Sequence, residues 1–249
     1  NVLSGIYPYG SYTGDIVYEG EVCKFAKITD SEQKGIVIIH QELALVPYMT
    51  IGENMFLGNE QGKSFSIDWD GTYEKADKYL KIVGLAESSR TLIKDIGVGK
   101  QQLVEIAKAL AKNARLLILD PLQGYLGERI DMNRANEIRE VMKSVGQVAQ
   151  RTGCAVVLVG HLNKAAGLSS AYRGLGSIDF RAAARSVLVV GRLRKNKTVR
   201  IVVHDKSSIA PEGKSLAFQL GDEEGFRWLD GYDEISAEEL LSGFTSQPE

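Results

Sequence analysis

With 249 residues, 44% of them hydrophobic and 25% charged, and a net charge of −2, the chain has the proportions of a globular protein of one large or two small α/β domains. No run of about 18 apolar residues occurs and Asn1 opens no basic-then-apolar leader, so neither a spanning helix nor a signal peptide is expected, and the expected compartment is the cytoplasm. Cys23 and Cys154 lie far apart without C-x-x-C spacing, and with three scattered histidines they predict small buried hydrophobes rather than a bridge or a zinc site.

In chain order, Asn1-Val-Leu-Ser-Gly5 reads as the last turn of a helix closed by a C-cap glycine, followed by a turn at Pro8 and Gly10. Ile16 to Tyr18 and Glu21 to Phe25 alternate around Glu19-Gly20 as a hairpin, and Gly35 to Ile39 is a buried strand. Helices are expected over Thr50–Leu57, Thr72–Val83 and Gln101–Ala111, with Lys63 to Asp68 as a loop. Leu116 to Asp120 is an apolar strand ending in a carboxylate, Asp131 to Arg151 has helical spacing, and Cys154 to Gly160 supplies the next strand. That order makes a βαβ unit and implies parallel pairing. Strands at Ser186–Gly191, Val199–His204, Ser215–Leu220 and Phe226–Leu229 follow in quick succession, which predicts an antiparallel extension of the sheet. A short helix at Ala237–Leu241 precedes a tail. Basic residue types change along the chain. Before Asp120 only Arg90 and Arg115 of thirteen basic residues are arginine, and from Asp120 onward eleven of seventeen are, through either two sources or local selection.

His40-Gln41-Glu42 directly follows a strand, and a glycine-rich turn, Ile96-Gly-Val-Gly-Lys-Gln101, opens the helix that leads to Leu116-Leu-Ile-Leu-Asp120. A glycine turn at a helix N-terminus offers free N–H groups and a dipole to a phosphate, although Gly97 and Gly99 also read as a plain helix entry. In this order the segments resemble the Q-loop, signature helix and Walker B strand of ABC ATPases. With Asn1 to Pro8 and Ser66-Ile-Asp-Trp69, residues 1–119 resemble the ATPase of xylose-, ribose- or galactose-type sugar importers. The resemblance implies ATP and Mg²⁺ as cofactors and a membrane permease as partner, with the chain peripheral to the inner membrane. It places Gln41 beside Mg²⁺ and the attacking water, Asp120 on Mg²⁺ through water, and Gly97, Gly99, Lys100 and Gln101 on the nucleotide of a partner subunit. The family's signature serine is replaced here by Gly97.

A P-loop needs G-x-x-x-x-G-K-[ST], and no segment of the 249 residues fits: Gly62-Lys63-Ser64 has leucine at position 57, and Gly99-Lys100 is followed by Gln101. Truncation just after that loop is the expectation, and with it weak or absent ATP binding. After Asp120, where the family carries a catalytic glutamate, stands Pro121.

Asp120-Pro-Leu-Gln-Gly-Tyr-Leu-Gly127, Arg151 to Lys164, Tyr172 to Asp179 and Lys206 to Gly213 resemble instead the second half of RecA-like ATPases near the RepA-type and DnaB helicases, as far as Leu241. That resemblance implies ring-forming self-association and DNA as a partner. His161 would sense the γ-phosphate, Lys206 would reach a neighbouring subunit's ATP, and Lys164, Tyr172 and Arg173 would contact DNA. Residues 164–214 hold eleven basic side chains against Asp179, Asp205 and Glu212, which suits phosphate tracking or an ordinary solvated face. The expected fold is a P-loop NTPase-like α/β fold, a mostly parallel sheet flanked by helices with antiparallel strands toward the C-terminus. The expected division is an ABC ATPase fragment over 1–119, a RecA-like half over 120–243 and a tail over 244–249, a chimera joined at Asp120. Three functional readings stand side by side: ATP-driven sugar import, a DNA-directed replication ATPase, and a chimeric product with no ATPase activity.

Overall fold

The computed structural model describes residues 1–40, 43–63, 66–122, 135–161, 178–193, 196–221 and 225–242. It divides into two compact units. The first comprises Asn1–Ile6, Phe25–Asp131 and Glu140–His161, and the second Tyr7–Lys24, Met132–Arg139 and Leu162–Glu249.

The first unit is built on a parallel sheet of β3 (Ile36–His40), β6 (Leu116–Asp120) and β7 (Ala155–Leu158), with β6 in the middle. Register runs unbroken from Ile36↔Leu116 to His40↔Asp120 on one side and from Leu116↔Ala155 to Leu119↔Leu158 on the other. The sheet therefore continues across Asp120, and the βαβ unit read from the sequence forms as expected, with α5 (Ala135–Thr152) between its strands. Near-continuous apolar strands suit a parallel sheet because both of its faces are covered. Val37, Ile39, Leu117 and Leu119 are buried in one cluster with side chains of α2 (Ile51–Phe56), α3 (Trp69–Val83) and α4 (Val98–Ala111). Ile51, Ala76, Leu80 and Val104 are almost wholly buried there, and each large one contributes about 1.5–3 kcal/mol of hydrophobic stabilisation.

Local signals set the helix ends. Thr50 and Glu53 close a capping box on α2, Asp68 caps α3 by accepting from the Gly71 amide at 2.9 Å, and Gly84 ends α3 in the left-handed conformation at φ +77°. The chain's opening turn has the hydrogen-bond pattern of a helix C-cap. The Ile6 amide donates to Asn1 O and the Gly5 amide to Val2 O, both at 3.1 Å, around Gly5 at φ +73°. Glycine is required at that position, since a Cβ would lie 2.5 Å from Lys27 O. α1 (Ile28–Gln33), not anticipated from the pattern, starts where Asp30 accepts the Ala26 and Lys27 amides. Within the loop expected over Lys63–Asp68, β4 (Gly62–Lys63) pairs antiparallel with β5 (Ser66–Ile67), two strands too short for alternation to register.

The second unit holds a four-stranded antiparallel sheet in the order β11-β10-β9-β8, where β8 is Ser186–Arg192, β9 Val199–Ser207, β10 Leu216–Gly221 and β11 Gly225–Leu229. These strands were expected to extend the parallel sheet; among the described residues they form a sheet of their own. One face buries Val199, Ile201, Val203 and Ala217 against Ala237 and Leu240 of α7 (Ala237–Ser242). The second unit also contains α6 (Ile178–Ala183) and the hairpin β1 (Ile16–Tyr18) with β2 (Glu21–Cys23). Both cysteines are free and buried, and burial pushes the Cys154 thiol up.

Candidate functional site

Parallel register carries the C-terminal ends of three strands to one edge of the sheet in the first unit, the edge at which open α/β sheets bind ligands. Asp120 ends β6 opposite His40 of β3. Beyond β7 the Val159 amide donates to Leu119 O at 2.9 Å and the Leu122 amide to Val159 O at 2.7 Å, so the strand-end segments are laced together. Asp120 is half-buried, and its carboxylate makes no ion pair with another described residue. His161, three residues past the end of β7, is exposed. Gln41, one residue past β3, lies outside the described residues, as do Lys164, Tyr172 and Arg173.

The second element is the start of α4. Gly97 is its N-cap, extended at φ −68° and ψ 157°, and no side chain caps the helix. Gly97 O accepts the amides of Lys100 at 2.9 Å and Gln101 at 3.1 Å, and among the described residues the amides of Val98 and Gly99, the other donors of the first turn, show no backbone partner. A Cβ at Gly97 or Gly99 would meet nothing within 4 Å, so the turn is open. Such amides at the positive end of a 14-residue helix form a seat for an anion.

The side chains that follow are occupied. Lys100 is ion-paired with Glu87 and holds that carboxyl below its usual range, and the Gln101 amide donates to Ile93 O at 3.1 Å and Ile96 O at 3.0 Å. Gln101 thereby ties the short 3₁₀ turn Ile93–Asp95 to α4. Lys206 lies in the second unit, where its ammonium donates to the carbonyls of Arg181, Ala182 and Ala184, each at 2.8 Å, closing the C-terminal end of α6.

Two residues at the site's support escaped sequence reasoning. Asn54 is fully buried. Its amide accepts from Val46 N at 2.7 Å and donates to Val46 O at 3.1 Å and Thr50 O at 2.9 Å, clamping the segment that follows β3 onto α2. Glu105 is buried within α4 with one carboxylate oxygen unpartnered. Burial pushes its carboxyl up, opposed by Lys108, the Ala44 amide and Lys112. A polar residue among the apolar positions of each helix was the available signal.

Residues 1–122 match the family model described as ABC transporter. Over just under half of its length the chain is thus similar to ABC transporter sequence. Among curated relatives, the L-arabinose transport ATP-binding protein AraG of Geobacillus stearothermophilus is 53% identical over 160 residues, 64% of this chain and 30% of that protein. The xylose import ATP-binding protein XylG of Moorella thermoacetica is 58% identical over 127 residues, 51% of this chain and 25% of its own. XylG of Escherichia coli K12 is 44% identical over 169 residues, 68% and 31% respectively. The chain thus spans about a third or less of the relatives it matches. Among solved structures, cbiO1 from Clostridium perfringens, part of the ABC transporter complex cbiONQ, superposes with a TM-score of 0.50 at 18% identity, covering 64% of this chain and 59% of that one, a likeness of fold. The fold is that of an ABC cassette of the P-loop NTPase class.

A similarity of 160 or 169 residues cannot fit within residues 1–119 or within 120–249, so the AraG and E. coli XylG matches cross Asp120. These matches lend no support to a RecA-like origin or a chimeric join. Among the described residues no helix is long and apolar enough to cross a membrane.

Proposed function

We propose that the chain is the ATP-hydrolysing component, or a segment of it, of a sugar importer, working against a membrane permease at the inner membrane. The observation that carries this reading is the start of α4: an uncapped helix N-terminus with two amides that show no backbone partner among the described residues and an open glycine turn, in a segment similar to ABC transporter sequence. The names of the AraG and XylG relatives favour a sugar as the transported class.

Residues and cofactors fit in part. The amides of Val98 and Gly99 suit the terminal phosphate of an ATP held by a second cassette, with Gly97 giving the phosphate room. The carboxylate of Asp120, at the strand edge, suits Mg²⁺ through water. Mg²⁺ neutralises phosphate charge when bound. Lys100 and Gln101 support this site through their contacts with Glu87 and the Ile93–Asp95 turn. Gln41 and His161 follow the strands that flank Asp120, where one would orient water and the other meet the outer phosphate. Because no P-loop pattern occurs in the 249 residues, the chain by itself holds ATP weakly and contributes its signature turn in trans. Within this reading, 1–119 is the ABC ATPase part and 120–243 a following part whose motifs change at Pro121, with 244–249 as a tail.

The test is association with an intact cassette carrying its own P-loop, such as the cassette of a XylG relative, followed by sedimentation with and without Mg·ATP. Association that requires Mg·ATP and is lost in Gly97→Asp, whose carboxylate would repel phosphate, is the expected result. Nucleotide-independent behaviour, or an indifferent Gly97→Asp, would overturn the proposal, and so would micromolar Mg·ATP affinity of the isolated chain for the weak-binding part of it.

A further inference from the structure

The antiparallel sheet of the second unit carries apolar side chains on both faces, and among the described residues one of them is packed on α7. Opposite the side packed on α7 stand Leu188, Val190, Val202, Leu216, Phe218, Leu220, Phe226 and Trp228. Leu188 and Trp228 are each 61% exposed, and Val190, Leu216 and Leu220 about half exposed. An apolar antiparallel face of this kind is satisfied by a second sheet stacked on it about 10 Å away.

We propose that the occupant is the same face of a second copy of this chain, related by a two-fold axis running parallel to the strands. Cross-strand register supplies the argument. Arg192 pairs with Arg200, Arg200 with Phe218, and Phe218 with Trp228, so one straight row across all four strands reads Arg, Arg, Phe, Trp. A two-fold axis along the strands preserves each row and reverses strand order, setting β8 over β11 and β9 over β10. Arg192 then lies over Trp228 of the second copy, Arg200 over its Phe218, and the reverse pairs form equally. Guanidinium groups over aromatic faces are favourable contacts. In the next row Val202 meets Leu216 of the second copy.

Charge and area agree. Neither arginine is ion-paired among the described residues, and no Asp or Glu alternates onto this face of the strands. The exposed fractions correspond to roughly 600–800 Å² per copy, the size of one side of a stable interface. Phe218, Phe226 and Trp228 form a mutual edge-and-tilt cluster with centroids 5.1 to 5.9 Å apart, a rigid anchor at the patch. This association uses neither α4 nor nucleotide, so its failure and that of the importer reading are separable.

The test is sedimentation equilibrium of the full chain without nucleotide over a range of concentrations, with far-UV circular dichroism as a control of folding. A concentration-dependent dimer is expected, with Trp228→Glu and, independently, Leu188→Lys each weakening it at least ~30-fold while the dichroism is unchanged. In a Trp69→Phe background the emission of Trp228 should shift to the blue as dimer forms. A chain that stays monomeric, or a dimer indifferent to both substitutions, overturns the proposal. So does a monomer whose Trp228 instead mediates binding of a fluorescent single-stranded oligonucleotide, which would make the face a stacking platform.

Discussion

Replacing Asn54 with leucine tests whether the segment after β3 is held by a single buried amide. The substitution keeps approximate size but removes the acceptor at 2.7 Å from Val46 N and the donors at 3.1 Å to Val46 O and 2.9 Å to Thr50 O. Thr50 O keeps the Asn54 backbone amide at 3.0 Å, so the groups left without a partner are the Val46 N–H and C=O. A buried orphan costs about 1–3 kcal/mol, but Val46 is itself 40% exposed and water can reach part of it, so the lower half of that range applies. The two together give a loss of about 2–4 kcal/mol. With a urea slope of about 1–3 kcal/mol per molar, the midpoint should fall by roughly 1–2 M. Because the chain has two units, the measurement needs a reporter in the first. Trp69, at the start of α3, serves once Trp228→Phe silences the other tryptophan. Asn54→Asp retains an acceptor for Val46 N but buries a carboxylate and loses both donors, so it should cost at least as much. A shift for Asn54→Leu within ~0.5 kcal/mol of the parent would show that water replaces the clamp and would refute the reasoning.

Gly52→Ala places a Cβ 2.6 Å from Tyr73 Cδ1, and the ring is held by Arg90 at 4.1 Å over its face and by its hydroxyl 3.2 Å from Thr50 Oγ1. Overpacking of about 1–3 kcal/mol should therefore outweigh the ~1 kcal/mol gained in helix propensity, read as a lower urea midpoint in the Trp69 signal. For Glu105 the folded-state carboxyl is raised by burial, so the folded protein binds its proton more tightly than the unfolded chain does. Stability must then fall as pH rises from the ordinary glutamate range through the raised folded value; Glu105→Gln should abolish that slope, and its advantage over the parent should grow with pH in thermal melts. Lys206→Met leaves three carbonyls at the end of α6 without their charged donor and should lower the stability of the second unit by about 1–2 kcal/mol in urea titrations followed by Trp228 emission. Any functional loss in that variant has to be corrected for the change.

Most strand and helix positions in the first unit were legible because their signals are local: an apolar run ending in Asp120, the Thr50–Glu53 box, the Asp68 cap and a glycine soon after α2 and α3. The resemblance of residues 1–119 to ABC sequence was legible for the same reason, since a glycine turn before α4 and a carboxylate at the end of β6 are short motifs with fixed order. Whether His40 and Asp120 stand side by side depends on register between strands some eighty residues apart, and only the fold sets that. The roles of Gln101, Asn54 and Lys206 also depend on distant carbonyls: a side-chain amide or ammonium reads alike in sequence whether it faces a phosphate or holds a neighbouring turn.

The chain around Asp120 divides along the same line. The sequence alone determined that the basic residue types change there, because this is a property of residue order. Only the tertiary structure decided that β3, β6 and β7 form one in-register parallel sheet across that point, while the later strands pair among themselves, because hydrogen-bonded pairing chooses partners by geometry and not by proximity in the chain.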